Sequence, residues 1–163
     1  YGAKKIYAGQ LCALKNYGSE NSNKNILDII EDMKEQEDKH FEYFNNKIIE
    51  EKIRPTIMQP IWNIGGFVMG FITAKMGKKA AMACTVAVEE VIDKHYEDQL
   101  QKLKKTPHKN QELIKKIEDF QKEELEHKNI AIDNEAQDLK LYQSFKFVIS
   151  NISKLAIKIS KKI

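Results

Sequence analysis

Two short motifs, Glu37-x-x-His40 and Glu124-x-x-His127, each set a carboxylate and an imidazole three positions apart in long charged stretches. On a helix that spacing puts both side chains on one face. The apolar residues around them share that face. One stripe reads Ile26, Ile30, Met33, Glu37, His40, Phe44, and the other reads Leu113, Ile117, Phe120, Glu124, His127, Ala131. The steps are the same in both, and every pair is 87 residues apart. Each Glu and His therefore interrupts a stripe that otherwise faces a core. A carboxylate buried alone costs on the order of several kcal/mol, so it calls for a partner, and a metal cation suits both donor types. Two plainer arrangements stay open at this level: a buried Glu–His hydrogen bond, or helices rotated to bring the pair to solvent.

A third acid joins them. In "VEEVIDKHY", Glu89, Ile92 and Tyr96 share a face, and "IYAGQL" (residues 6–11) aligns with "HYEDQL" (residues 95–100) at an offset of 89. That alignment pairs Tyr7 with Tyr96, Gln10 with Gln99, Leu11 with Leu100 and Leu14 with Leu103. The chain thus reads as two helix-pair halves. Carried back by the same offset, Glu89 lands one position before Tyr1, and a glutamate is expected there. The chain opens without a Met and without a secretory signal pattern, which fits a residue upstream.

One Glu from each of two helices, with a Glu-x-x-His from each of two others, is the ligand pattern of ferritin-like di-metal bundles. The expected ligands are Glu37, His40, Glu89, Glu124 and His127, with the sixth just before Tyr1. Carboxylate and imidazole donors together suit iron in both its ferrous and ferric states, and carboxylates can bridge two ions. These ligand types exclude a closed Cys-rich zinc site and leave manganese or a mixed pair open.

The elements that must position these residues follow from composition and punctuation. With 163 residues, one domain spanning 1–163 is expected. Only seven Gly and three Pro accompany 31% charged residues, which suits helices better than a turn-rich sandwich. Helices are expected over 1–16, 24–53 (stopping before Pro55), 78–104, 111–138 and 142–163. A polar loop with Gly18 and a capping Ser22 separates the first two. The fold is read as all-α: a ferritin-like four-helix bundle of two helix pairs, with an extra apolar segment over 56–76 and a C-terminal amphipathic helix over 142–163. The net charge is only +3, and Arg54 is the lone Arg, so no nucleic acid is expected as a partner. Cys12 and Cys84 lie in apolar segments and read as small buried hydrophobes rather than a disulfide.

The stretches "YGAKKIYAGQL", "RPTIMQPIWNIGGFVMG", "GKKAAMACTVAVEEVIDKHYEDQL" and "EELEHKNIAID" resemble the demethoxyubiquinone hydroxylase family, di-iron monooxygenases of ubiquinone biosynthesis. The resemblance runs in order along nearly the whole chain. It departs at the polar insertion "NYGSENSNKN" and at the residue before Tyr1. By position it puts the family's iron ligands on Glu37, His40, Glu89, Glu124 and His127, and its sixth on the glutamate before Tyr1. It implies two iron ions, and hydroxylation of the ring of a demethoxyubiquinone with O2 and NADH-derived electrons. One oxygen atom goes to the ring and the other to water. It also implies a place on the inner membrane, at the mitochondrial matrix face or the bacterial cytoplasmic face, and a lipid-binding partner from quinone biosynthesis. A homo-oligomer is a further expectation.

Other features bear on a greasy substrate. The segment Thr56–Met76 is strongly apolar but carries Gln59, Pro60, Asn63, Gly65, Gly66 and Lys75, and so reads as an interfacial or channel-lining hairpin. A buried crossover helix is the alternative. Trp62, Phe67, Met69 and Phe71 are candidates either to grip an isoprenoid tail or to pack the core. In the last segment Phe147, Ile149, Ile152, Leu155, Ile159 and Ile163 face away from Lys146, Lys154, Lys158, Lys161 and Lys162, a pattern that can lie on anionic lipid or cap the bundle. His95 and Tyr96 follow Glu89 by one to two turns and are candidates to orient ligands or pass protons, Tyr96 doubling as a core aromatic. His108 reads as an exposed loop residue. A ferroxidase or iron-binding protein would share the ligand pattern without attacking a quinone.

Overall fold

The computed structural model describes residues 2–17, 24–107 and 110–162. Gly18, Ser22, His108, Tyr1 and Ile163, on which some expectations fall, lie outside them. Six α-helices and one short 3-10 turn account for nearly all the described residues, with no strand among them. They are α1 (Gly2–Tyr17), α2 (Lys24–Glu50), α3 (Gln59–Lys75), α4 (Lys78–Lys105), α5 (Gln111–Asp133) and α6 (Tyr142–Ser160), with the turn at Ala136–Asp138 between the last two. The protein is an all-α, ferritin-like helical bundle. The pair α1–α2 and the pair α4–α5 supply the four helices of the bundle, while α3 packs along α1 and α6 along α4.

Helix α4 is the spine. Its first half, from Ala80 to Ala87, is buried throughout because seven of its eight side chains are no larger than Val and neighbours can close on every side. Gln10 reaches across from α1 and donates to the Ala81 carbonyl at 3.0 Å, which satisfies part of a fully buried amide. A second apolar cluster of Tyr96, Leu100, Ile114, Ile117 and Phe120 closes the far end of the α4–α5 pair.

The segment expected as an apolar hairpin is instead one continuous helix, α3. Pro60 falls in its first turn, where a missing N–H costs nothing. Close backbone contact fixes α3 on α1: a Cβ on Gly70 would overlap the Ile6 carbonyl, and one on Gly9 would overlap the Phe67 carbonyl. Gly77, at φ +108°, then turns the chain directly into α4, a conformation that only glycine holds without strain.

Two helix ends fall short of expectation for local reasons. Helix α5 stops at Asp133 rather than 138 because the Asn134 side chain takes the Ile130 carbonyl at 2.9 Å and Glu135 turns left-handed. Helix α2 stops at Glu50, with Lys52 left-handed just before Pro55. The α5 start is set by Asn110, whose side chain accepts from Leu113 N at 3.0 Å.

Candidate metal centre

Helices α2, α4 and α5 each bring acids to the middle of the bundle. Each of these helices turns one apolar stripe inward, so a polar residue at a stripe position has no route to water. Glu37, His40, Glu89, Glu124 and His127 are each at most 3% exposed. One donor atom from each of Glu37, Glu89, Glu124 and His127 lies within 4.8 Å of all the others. His40 stands beside this group, its Nδ1 3.2 Å from Glu124 Oε1 and 3.7 Å from Glu37 Oε1. The other Glu124 oxygen, Oε2, lies 3.5 Å from His127 Nδ1. Glu124 therefore shows one oxygen to each imidazole. The helices are not rotated toward solvent.

Both rings use their outer nitrogens elsewhere. His40 Nε2 is 2.6 Å from Glu123 Oε2, and His127 Nε2 is 3.0 Å from Gln36 Oε1. Tyr7, fully buried, donates its hydroxyl to Glu89. After these bonds are made, the atoms left without a hydrogen bond include both Glu124 oxygens, Glu37 Oε1, Glu89 Oε2 and both Nδ1 atoms. Buried polar atoms are rarely orphaned in such numbers, and these converge on one point. A pair of cations would satisfy them together, so the donor set fits the metal that the ligand pattern implies.

Charge crowding at the site is severe. Burial, and then the Glu124 charge, push the Glu37 carboxyl up to about 8. Burial and the charges of Glu124 and Glu37 raise Glu89 well above the carboxylate range. Glu124 goes the other way: burial opposes ionisation, but the His127 and His40 imidazoles beside it hold its pKa below the usual range. Burial also raises the Tyr7 phenol, with Glu89 adding to it, which keeps that hydroxyl a donor.

The two residues expected to assist are placed differently. Tyr96 is buried and stacks on Phe44 with ring centroids 6.2 Å apart. Burial raises its pKa, and the charges of Glu124, Glu37 and Glu89 raise it further, so it lies in the field of the cluster. His95, the next residue back, is half-buried; burial lowers its pKa, as does the Lys161 charge just beyond the end of α6. Consecutive helical residues diverge by about 100°, and here Tyr96 is buried in the apolar cluster while His95 is only half-buried. Tyr7, Gln36 and Glu123 were not anticipated as site residues. The signal was available: Tyr7 is the repeat partner of Tyr96, and Gln36 and Glu123 are themselves 87 residues apart.

Fold and site together define a ferritin-like helical bundle with a buried carboxylate–imidazole cluster at its centre. The chain belongs to the family described as "Ubiquinone biosynthesis protein COQ7", whose model matches residues 1–160. It is 42% identical over 163 residues to the "NADPH-dependent 3-demethoxyubiquinone 3-hydroxylase, mitochondrial" of Dictyostelium discoideum, covering all of this chain and 72% of that protein. The human protein of the same name is 39% identical over 164 residues, again with 100% and 72% covered. The "3-demethoxyubiquinol 3-hydroxylase" of Rhodospirillum rubrum is 38% identical over 165 residues, with 100% and 73% covered.

Proposed function

We propose that this protein hydroxylates the ring of a demethoxyubiquinone in ubiquinone biosynthesis, using two iron ions held by Glu37, His40, Glu89, Glu124 and His127. The observation that carries the reading is the convergence of orphaned buried oxygens and Nδ1 atoms on one point, in a chain whose relatives are named as this hydroxylase. A sixth carboxylate is assigned to the position before Tyr1. The inward stripe of α1, Ala3, Tyr7 and Gln10, is buried throughout, and one further step back along it reaches that position.

When bound, the iron pair would supply the redox chemistry with dioxygen that adds one oxygen atom to the ring. The chain's own residues do the rest. Glu124 spans the two imidazoles and is suited to bridge. Gln36 and Glu123 hold the outer ring nitrogens so that both Nδ1 atoms face inward. Tyr7 fixes one oxygen of Glu89. The apolar shell of Ile30, Met33, Val86, Ile117 and Phe120 keeps bulk water out. Tyr96, in the field of the carboxylates, is assigned a proton-passing or orienting role, while His95 could act only through another group. The reductant is assigned as NADPH, after the names of the mitochondrial relatives, rather than the NADH that the family resemblance implied.

The substrate is greasy, and the surface suits it. Ile57, Ile61, Ile64, Val68, Ile72 and Met76 form an exposed apolar stripe along and beside α3. Phe147, Val148, Ile152 and Leu155 do the same on α6, so most of that helix's apolar face does not cap the bundle. No helix among the described residues is long and apolar enough to cross a membrane. These stripes support peripheral seating on a membrane surface, at the matrix face of the inner mitochondrial membrane or the bacterial cytoplasmic face.

The test is turnover. Protein carrying its upstream residue, loaded with ferrous iron, is given a short-tailed demethoxyubiquinone, NADPH with a suitable electron carrier, and oxygen. Mass spectrometry should show a product heavier by one oxygen atom, drawn from labelled O2. Iron that binds and oxidises without this product would point to a ferroxidase, and absence of bound iron would sink the site assignment.

A further inference from the structure

The two imidazoles are braced from behind by different groups. His40 and Gln36 lie on α2, while His127 and Glu123 lie on α5. His40 Nε2 reaches over to Glu123 Oε2 at 2.6 Å, and His127 Nε2 reaches back to Gln36 Oε1 at 3.0 Å. The offset of 87 that relates Glu37 to Glu124 and His40 to His127 also relates Gln36 to Glu123. One brace is therefore used twice across the α2–α5 seam, with an amide in one copy and a carboxylate in the other.

Both versions fix ring orientation. An acceptor behind Nε2 makes that nitrogen the N–H donor and leaves the Nδ1 lone pair facing the cluster. Only the carboxylate adds charge. A negative group behind a ligating imidazole makes the ring a stronger donor and favours the more positive ion. Glu123 is 39% exposed, so its outer side meets water while Oε2 meets His40.

We propose that Gln36 and Glu123 are reciprocal positioning residues that make the two ion positions unequal. The position on His40, backed by Glu123, binds its ion more tightly and, with iron, holds the ferric state more strongly than the position on His127. This rests on the reading of the five buried residues as metal ligands.

Anaerobic titration of metal-free protein with Co(II), followed by visible absorption, tests the proposal without turnover. Wild type should fill in two resolved steps. Glu123→Gln keeps an acceptor and drops the charge; it should weaken the tighter step by about 10- to 100-fold and draw the two steps together. Gln36→Glu should tighten the weaker step. In iron-loaded protein, the two Mössbauer doublets of wild type should converge in Gln36→Glu. Variants that titrate like wild type, or that weaken both steps equally, overturn the inequality while leaving the metal site standing. A wild type that binds no Co(II) and no Fe(II) overturns the ligand assignment and this inference with it.

Discussion

Helices α2 and α5 carry the same motif in the same register, yet their two glutamates live in opposite electrostatic conditions. Glu37 is pushed up to about 8, while Glu124 is held below the usual range. Both are buried, so desolvation does not separate them. Position does. Glu124 presents an oxygen to each imidazole, at 3.2 and 3.5 Å, whereas Glu37 approaches only His40, at 3.7 Å. A sequence repeat fixes which residue types meet; the offset between the paired helices decides which acid takes the centre.

The largest expected effect follows from that centrality. Glu124→Ala removes the one carboxylate shared by both imidazoles and leaves two Nδ1 atoms without a common anion. Binding of both ions should fall by more than about 100-fold, since even groups behind the ligands are worth about 10- to 100-fold. Glu37→Ala should strike mainly the position on His40. Equilibrium dialysis against Fe(II) measures both, and equal losses in the two variants would erase the distinction between the helices.

A pH series on metal-free protein sharpens the same contrast. The folded pKa of Glu37 lies above its ordinary value of 4.5, so folding favours the protonated form. That stability is fully present below pH 4.5 and is lost as pH rises toward about 8. Glu89 acts with the same sign. Glu124 has the reverse sign, its contribution being lost as pH falls below the ordinary carboxylate range. Metal-free protein should thus melt lower at pH 8 than at pH 5, with a slope of up to about 1.4 kcal/mol per pH unit from each group titrating. Glu37→Gln should flatten the slope, and saturating metal should lift the alkaline end. A melting temperature that climbs from pH 5 to pH 8 in metal-free protein would contradict the assignment.

The two halves also differ in what supports them. Helix α4 is surrounded because its own side chains are small, while α1 is gripped by α3 through glycines. Gly70→Ala should therefore cost about 1–3 kcal/mol, because the new Cβ meets the rigid Ile6 carbonyl rather than a side chain that can swing away. Gly65 has nothing within 4 Å of a built Cβ, and there the same change should stabilise by about 0.5–1 kcal/mol through helix propensity. Urea unfolding midpoints of the two variants compare them directly; equal shifts would mean that α3 is not clamped at Gly70.

How much of this was legible beforehand depended on whether a signal was periodic. The ligand stripes could be read because an apolar period of three and four residues survives any detail of packing, and a Glu or His that interrupts it stands out. Tyr7 pairs with Tyr96 in the repeat, but that pairing alone does not say that its buried hydroxyl meets Glu89. Gln36 and Glu123 lay on the repeat too, but they are ordinary polar residues in a chain full of them, and their roles depend on which way an imidazole turns. The end of α5 was missed because one Asn134 side chain bond decides it, and the hairpin reading of residues 56–76 failed because Pro60 and the glycines looked like breaks. Pro60 instead sits in a first turn, and Gly70 serves as a contact face.

The outer helices give the smallest effect on folding and the clearest separation of folding from function. Ile64 and Val68 on α3 are 69% and 47% exposed, and Val148 on α6 is 55% exposed. Little apolar burial is lost when such residues become polar, so Ile64→Lys and Val148→Glu should change stability by no more than about 0.5 kcal/mol. Binding to vesicles that contain anionic lipid should respond much more, because burial in the headgroup region depends on those side chains. Sedimentation with such vesicles should show wild type bound and the double variant largely free, with unchanged metal binding in solution. If the double variant sediments like wild type, the apolar stripes of α3 and α6 do not seat this protein on a membrane, and the route of a greasy quinone to the buried cluster must begin elsewhere on the bundle.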